Sequence, residues 1–246
     1  MTVRKEPFGV GSFVHVFNRG NRKQEIVRDE KDRWNFLQML YYFNSEYSPP
    51  NPMQTLKKVL KSDFNTKLVW PDMWPERKPL VNVHALILKD NHFHLILEEL
   101  VEGGITKLMR KLGTGMTNRF NTRHKETGKL FQGSYKARLI DNENYFRSLF
   151  LYLHVKNAFE MYPGGLESAV KNFDEAYDFA VHYPYSSFGH YVLKSDFNTS
   201  QLVGNDELFR AAFPDQEEMK KFARERLFSV IFDEQKCLVE EVVEAY

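Results

Sequence analysis

The sequence of 246 residues has a single cysteine, Cys237, almost no net charge, and no apolar run approaching the roughly 20 residues that a membrane span needs. One cysteine excludes a disulfide framework and a multi-cysteine zinc site, and it fits a reducing compartment. With no activating motif beside it, Cys237 reads as a small hydrophobe rather than a nucleophile. Residues 1–8 are charged but are not followed by the apolar stretch of a signal peptide, so the expectation is a cytoplasmic protein with no membrane partner. Lys plus Arg number 34 and Asp plus Glu 33, a balance of +1 that taken whole argues against nucleic acid. What is plentiful is core-forming material: 42% of residues are hydrophobic and 15% aromatic, enough for one large domain or two small ones.

The charge balance hides a division. Residues 1–158 carry 26 basic against 16 acidic side chains, a net +10, and residues 159–246 carry 8 against 17, a net −9. The densest basic stretch holds Lys107, Arg110, Lys111, Arg119, Arg123, Lys125, Lys129, Lys136 and Arg138 against Glu126 alone. Such a block is either a solvated helix face or an electrostatic footprint for phosphates. The division suggests a domain over 1–158 and an acidic, mainly helical extension over 159–246.

Periodicity orders the elements. Ser12 to Asn18 alternates as a strand and ends in the turn signal Arg19-Gly20-Asn21. Asp29 can cap a helix whose Trp34, Leu37, Leu40 and Tyr41 recur at helical spacing to about Phe43. Residues 44–80, with Pro49, Pro50, Pro52, Pro71, Pro75 and Pro79, read as an insertion holding a short helix at Met53 to Leu60. Leu80 to Leu88 and His92 to Leu97, joined by Lys89-Asp90-Asn91, form a hairpin. A long helix follows from about Gly104, striped by Ile105, Leu108, Met109, Leu112, Met116 and Phe120; Gly113 and Gly115 weaken it or permit a close approach. Tyr135 to Ile140 is a further strand, and Asp141 or Asn142 opens a helix running to about Asn157. This order implies an α+β fold, an antiparallel sheet with helices packed on it. Beyond Pro163-Gly164-Gly165 come helical stretches near Leu166 to Phe179 and an amphipathic helix from about Asp215, striped by Met219, Phe222, Ala223, Leu227, Val230 and Ile231. VLKSDFNT occurs twice, at Val59 to Thr66 and Val192 to Thr199.

The sharpest chemical signal is His92-Phe93-His94. On a strand, residues i and i+2 share a face, so the two imidazoles stand together while Phe93 points to the core. Two such imidazoles suit one divalent ion, although His-x-His alone is equally a structural pair.

Taken with its flanks, this segment resembles the IS200-like tyrosine transposases of the HUH endonuclease class, particularly the branch associated with repetitive extragenic palindromes. His15 to Asn21 (HVFNRGN) is similar to that family's first strand. Asp90 to Leu97 (DNHFHLIL) resembles its metal-binding strand, where Pro-Asn usually precedes the first histidine. Gly103 to Asn121 and Gly128 to Ile140 resemble the following helix and the next loop and strand. Pro184 to Val192 and the Leu208 to Leu227 region are similar to the C-terminal extension. The resemblance implies a ferredoxin-like HUH nuclease core.

It also implies a nucleophile. The family's tyrosine stands in a segment reading Tyr-Ile-x-x-Asn-Pro-Val, and the matching residues are Tyr152-Leu153-His154-Val155-Lys156-Asn157-Ala158. Tyr152 is therefore the expected nucleophile, placed by helical geometry on the flank beside Tyr145 and Lys156. His92 and His94 are the expected ligands of Mg²⁺ or Mn²⁺. The family often supplies a third ligand, Asn or Gln, four residues after the tyrosine; here Lys156 stands there and Asn157 is one residue late. A local helix irregularity would bring Asn157 to the metal, another group or water would complete the shell, or the site is impaired. Lys156 could instead support deprotonation of Tyr152. His84 and His154 are weaker candidates, read as structural or surface residues.

The implied activity is cleavage and rejoining of single-stranded, hairpin-bearing DNA through a 5′-phosphotyrosine. The implied DNA contacts are Lys107, Arg110, Lys111, Arg119, Arg123, Lys136 and Arg138, with Asn18, Arg19 and Gln132 near the cut. The protein would act as a monomer or homodimer. Two other classes remain open on the residues: a domesticated, non-cleaving DNA-binding module, favoured by Lys156, and a His-x-His hydrolase using activated water without Tyr152.

Overall fold

The computed structural model describes residues 8–60, 67–193, 199–204 and 215–232. Cys237, most of each VLKSDFNT copy, and much of the Leu208 to Leu227 region lie outside the described residues, as do the side chains of Val230 and Ile231. The chain divides into two compact units, one holding the chain up to 83 with 90–139, the other holding 84–89 with the chain from 140. Among the described residues no helix is long and apolar enough to cross a membrane.

The fold is α+β: a four-stranded sheet in the order β2-β3-β1-β4, from β1 (Phe13–Arg19), β2 (Val81–Leu88), β3 (His92–Glu99) and β4 (Lys136–Leu139). β1 pairs antiparallel with β3 and with β4, setting Phe17 opposite His94, Arg19 opposite His92, and His15 opposite Arg138. Alternation then makes two unlike faces. One carries Val14, Val16, Phe93, Leu95 and Leu97, all buried; the other carries His15, Phe17, Arg19, His92, His94, Lys136 and Arg138.

The apolar face is covered by α1 (Glu30–Phe43), whose Phe36 ring lies 5.3 Å from Phe93, and α3 (Gly104–His124) packs beside α1. Burying each such aromatic or aliphatic side chain stabilises by about 1.5–3 kcal/mol. α1 starts where the Asp29 carboxylate accepts from Asp32 N, an N-cap read correctly from the sequence. α3 lacks a capping side chain at Gly103, and the buried Glu99 carboxylate accepts from Gly103 N at 3.0 Å and Ile105 N at 3.1 Å instead. The two α3 glycines differ. A Cβ on Gly115 would meet Phe43 Cε2 at 2.7 Å, so its bareness lets the helices close; a Cβ on Gly113 meets nothing within 4 Å.

The insertion is anchored rather than loose. It holds α2 (Pro52–Leu60), and its later part docks on α1, where Tyr42 Oη donates to Val69 O at 2.9 Å and the rings of Trp70 and Trp74 pack 5.0 Å apart beside Tyr42. Asn44 then receives Leu80 N and Val81 N, each at 3.0 Å, which fixes where β2 begins.

The second unit is helical: α4 (Glu143–Leu151), a π-helical segment (Tyr152–Asn157), α5 (Gly165–Lys171), α6 (Phe173–His182), α7 (Phe188–Leu193) and α8 (Gln216–Phe232). Both VLKSDFNT copies begin by closing a helix, α2 at Leu60 and α7 at Leu193. The unit's polar centre is His154, fully buried. Its Nδ1 donates to Phe150 O at 3.1 Å, which leaves Nε2 to accept from Ser187 Oγ at 2.7 Å, and Ser187 Oγ accepts from Leu86 N at 2.9 Å. Burial, reinforced by His190, pushes the imidazole down to about 3 against the hydrogen bond to Phe150.

Two outcomes are expected. Gly113→Ala should stabilise by up to about 1 kcal/mol, whereas Gly115→Ala should destabilise by about 1–3 kcal/mol through overpacking; urea unfolding of both variants decides this. His154 stays neutral in the native state, while its unfolded form takes a proton below about 6.5. The stability contributed by His154 is thus fully present above that pH and should fall by about 1.4 kcal/mol per pH unit toward pH 3. His154→Gln, unfolded in urea across that window, should show a slope shallower by one proton; an unchanged slope would rule the assignment out.

Candidate metal and nucleic-acid site

The histidine face of the sheet is built by register. His92 and His94 project together from β3 with ring centroids 5.1 Å apart at 88°. β1 brings a third imidazole: His15 Nε2 lies 3.0 Å from His94 Nδ1, with the rings nearly parallel and Phe17 packed against both. His15 is fully buried, and burial together with the Arg138 charge pushes it down to about 3, so it is neutral. His92 Nδ1 donates to Asn91 Oδ1 at 2.5 Å, while Asn91 Nδ2 donates to Lys23 O at 3.2 Å, which fixes the orientation of that carboxamide.

Metal-binding histidines commonly use one nitrogen for the ion and the other for an orienting hydrogen bond. Here Asn91 makes Nδ1 the protonated nitrogen of His92, and the lone pair falls on Nε2. His15 can do the same for His94 by accepting from its Nδ1. The donor set therefore fits a divalent ion held by Nε2 of His92 and His94, with oxygen ligands from water or phosphate completing the shell. Among the described residues no group of three or more His, Cys, Asp and Glu is placed to hold a metal ion. Sequence reasoning missed His15 and Asn91. Both stand in the segments that drew attention, but only register shows that His15 falls on the same face as His94.

The remaining expected residues separate. Arg19, Lys136 and Arg138 share the histidine face and are half-buried. Asn18 faces the other way: its Oδ1 accepts from Arg19 N at 2.9 Å and its Nδ2 donates to Gly133 O at 3.2 Å. Gln132 is exposed, its backbone N donating to Arg19 O at 3.0 Å. Lys107, Arg110 and Arg119 are exposed on α3, beyond the apolar face. Lys111 reaches Ser45 O at 3.4 Å, and burial, then Arg110 and Lys107, lower its pKa. Arg123 is committed to α1: Nη1 is 2.7 Å from Asp29 Oδ1 and also meets Asp32, which in turn takes His124 Nε2 at 2.7 Å. That guanidinium holds Asp29 far below the usual carboxylate range.

In the second unit Tyr152 opens the π-helical segment. Asn157 Nδ2 donates to Tyr152 O at 3.0 Å, and Lys156 Nζ lies 5.4 Å from the centre of the phenol ring. The helix is irregular here, as one of the alternatives for a late asparagine supposed, and the Asn157 carboxamide is turned to the Tyr152 carbonyl five residues back. The expected flank position of Tyr152 is corrected. A uniform α-helical wheel leaves the tyrosine at the margin, whereas Tyr152 is 5% exposed. His154 is structural, as its network shows, and His84 is buried.

No protein-family model and no curated protein matches this sequence. Among solved structures, one described as a REP-associated tyrosine transposase bound to a REP hairpin is 12% identical, with 84% of this chain and 93% of that chain covered and a TM-score of 0.43. The functional assignment therefore rests on this chain's own residues.

His15→Leu and Asn91→Leu should each weaken binding of Mn²⁺ by about 10–100-fold, as loss of orienting partners does, with His15→Gln, which keeps an acceptor, between wild type and His15→Leu. Titration of Mn²⁺ followed by its EPR signal measures this. Unaltered affinity in both leucine variants would remove the orienting role.

Proposed function

We propose that this chain is a metal-dependent tyrosine transposase that cleaves and rejoins single-stranded, hairpin-bearing DNA. The observation that carries it is the pair His92 and His94, side by side on one sheet face with Nδ1 of His92 held by Asn91 and Nδ1 of His94 by His15. The ordered motifs that resemble the tyrosine transposases support it, with Tyr152 in a π-helical segment whose Asn157 is bonded to its carbonyl.

In this reading His92 and His94 would hold Mg²⁺ or Mn²⁺ through their Nε2 atoms, with oxygen ligands completing the shell. The ion, when bound, supplies Lewis-acid polarisation of the scissile phosphate. Tyr152 Oη attacks phosphorus, the bond from phosphorus to the 3′-oxygen breaks, and that oxygen leaves as a 3′-OH after taking a proton. The product is a 5′-phosphotyrosine. The ester retains the bond energy of the phosphodiester, so a second 3′-OH can reverse the step and join a new strand without ATP. A phenol ordinarily ionises near pH 10, and the Lys156 ammonium lies 5.4 Å from the centre of the Tyr152 ring. Arg19, Lys136 and Arg138 on the histidine face would take phosphate oxygens, whereas Arg123 is offset by Asp29 and Asp32.

Lys156 also favours a second reading, a DNA-binding protein that no longer cleaves, because a protonated amine cannot ligate. Labelled hairpin-bearing single-stranded DNA incubated with Mn²⁺ separates the cases. A covalent adduct that disappears in Tyr152→Phe is the expected result. Cleavage that persists in Tyr152→Phe points to activated water, and binding without an adduct in the unaltered protein points to the non-cleaving module.

A further inference from the structure

The turn after β1 is unusual. Arg22 and Lys23 are consecutive residues in the left-handed region, at φ +54° and +63°, a conformation that L side chains with a Cβ resist. Neither is glycine or asparagine, and both side chains are exposed. Strain of this kind persists only where the surroundings over-determine it, and here they do: Gly20 N donates to Asn91 O at 2.8 Å, Asn21 N to Leu130 O at 2.8 Å, and Asn91 Nδ2 to Lys23 O at 3.2 Å. The contact with Leu130 brings the exposed Lys129 to the same place. One carboxamide, that of Asn91, separates this cationic rim from the His92 ring.

The acids of this end are already matched. Arg28 pairs with Glu126 and with Glu25 at 3.8 Å, and Arg33 pairs with Asp90 at 2.5 Å. Arg22, Lys23 and Lys129 have no ion-pair partner among the described residues. The other exposed cations of this unit considered above, Lys107, Arg110 and Arg119, lie on α3, which packs with α1 on the face turned away from the histidines.

We infer that Arg22, Lys23 and Lys129 form a phosphate-binding rim that grips the backbone of the single strand where it leaves the His92 and His94 site, and that α3 does not. This rests on the proposed function and names the surface it uses. The strained turn aims two adjacent cations outward beside a metal ligand, a placement that a relaxed glycine turn would not need.

The test is the salt dependence of affinity for a labelled single-stranded oligonucleotide, read by fluorescence anisotropy. Each lost phosphate contact removes about 0.7 from the slope of log K against log salt for a single strand. The variant Arg22→Gly/Lys23→Gly/Lys129→Ala should lower that slope by about 2, while Lys107→Ala/Arg110→Ala/Arg119→Ala leaves it unchanged. Because glycine relieves the left-handed strain, the first variant should also melt higher by about 2–4 °C, so its loss of binding would not be a loss of fold. Arg22→Gln/Lys23→Gln, which keeps side-chain bulk, should lower the slope by about 1.4. An unchanged slope in both rim variants, or a loss confined to the α3 variant, overturns the rim. Absence of salt-dependent binding in the unaltered protein would instead overturn the proposed function, and the rim with it.

Discussion

β1 is hydrogen-bonded on both edges, to β3 and to β4, and an antiparallel strand held on both sides has no freedom to slip. A shift of one residue would exchange every inward side chain for an outward one. Val14 and Val16 would leave the core, and His15 and Phe17 would enter it. The burial of Val14, Val16, Phe93, Leu95 and Leu97 under α1 is therefore what holds three imidazoles on the far face. Phe93 shows the coupling most directly. It lies between His92 and His94 in the chain, and its packing against Phe36 sets the direction of both.

Basic residues in the first unit divide by what they already touch. Arg28, Arg33 and Arg123 are spent on Glu25, Glu126, Asp90, Asp29 and Asp32, tying α1 to the end of α3 and to the turn before β3. Among the described residues, Arg22, Lys23 and Lys129 are not. Charge in a sequence is a count of side chains, but attraction for phosphate depends on those left uncompensated. The run from Lys107 to Arg138 drew attention because it is dense. Its members nevertheless differ: Arg123 is a structural clamp, and Lys136 and Arg138 share the histidine face with Arg19.

The helix bearing Tyr152 shows how one irregular turn can redirect a side chain. Within the π-helical segment Lys156 keeps its ammonium 5.4 Å from the centre of the Tyr152 ring, while the Asn157 side chain is bonded to the Tyr152 carbonyl. The turn is stabilised by its surroundings rather than by propensity, since His154 on the same segment is locked to Phe150 O and Ser187 in a fully buried network.

Local pattern in the sequence determined the α+β class, the hairpin, the Asp29 cap, the pairing of His92 with His94 and the asymmetry of charge. Each follows from spacing of 2.0 or 3.6 residues or from composition, and needs no knowledge of partners. Tertiary structure decided the rest, because it depends on residues far apart in the chain. His15 met His94 only through register across 79 positions, and Arg123 was claimed by carboxylates more than 90 residues earlier. Asn157 bonded to the Tyr152 carbonyl in a π-helical segment that no periodicity encodes, and Gly113 and Gly115, alike in sequence, parted only where Phe43 pressed on one of them.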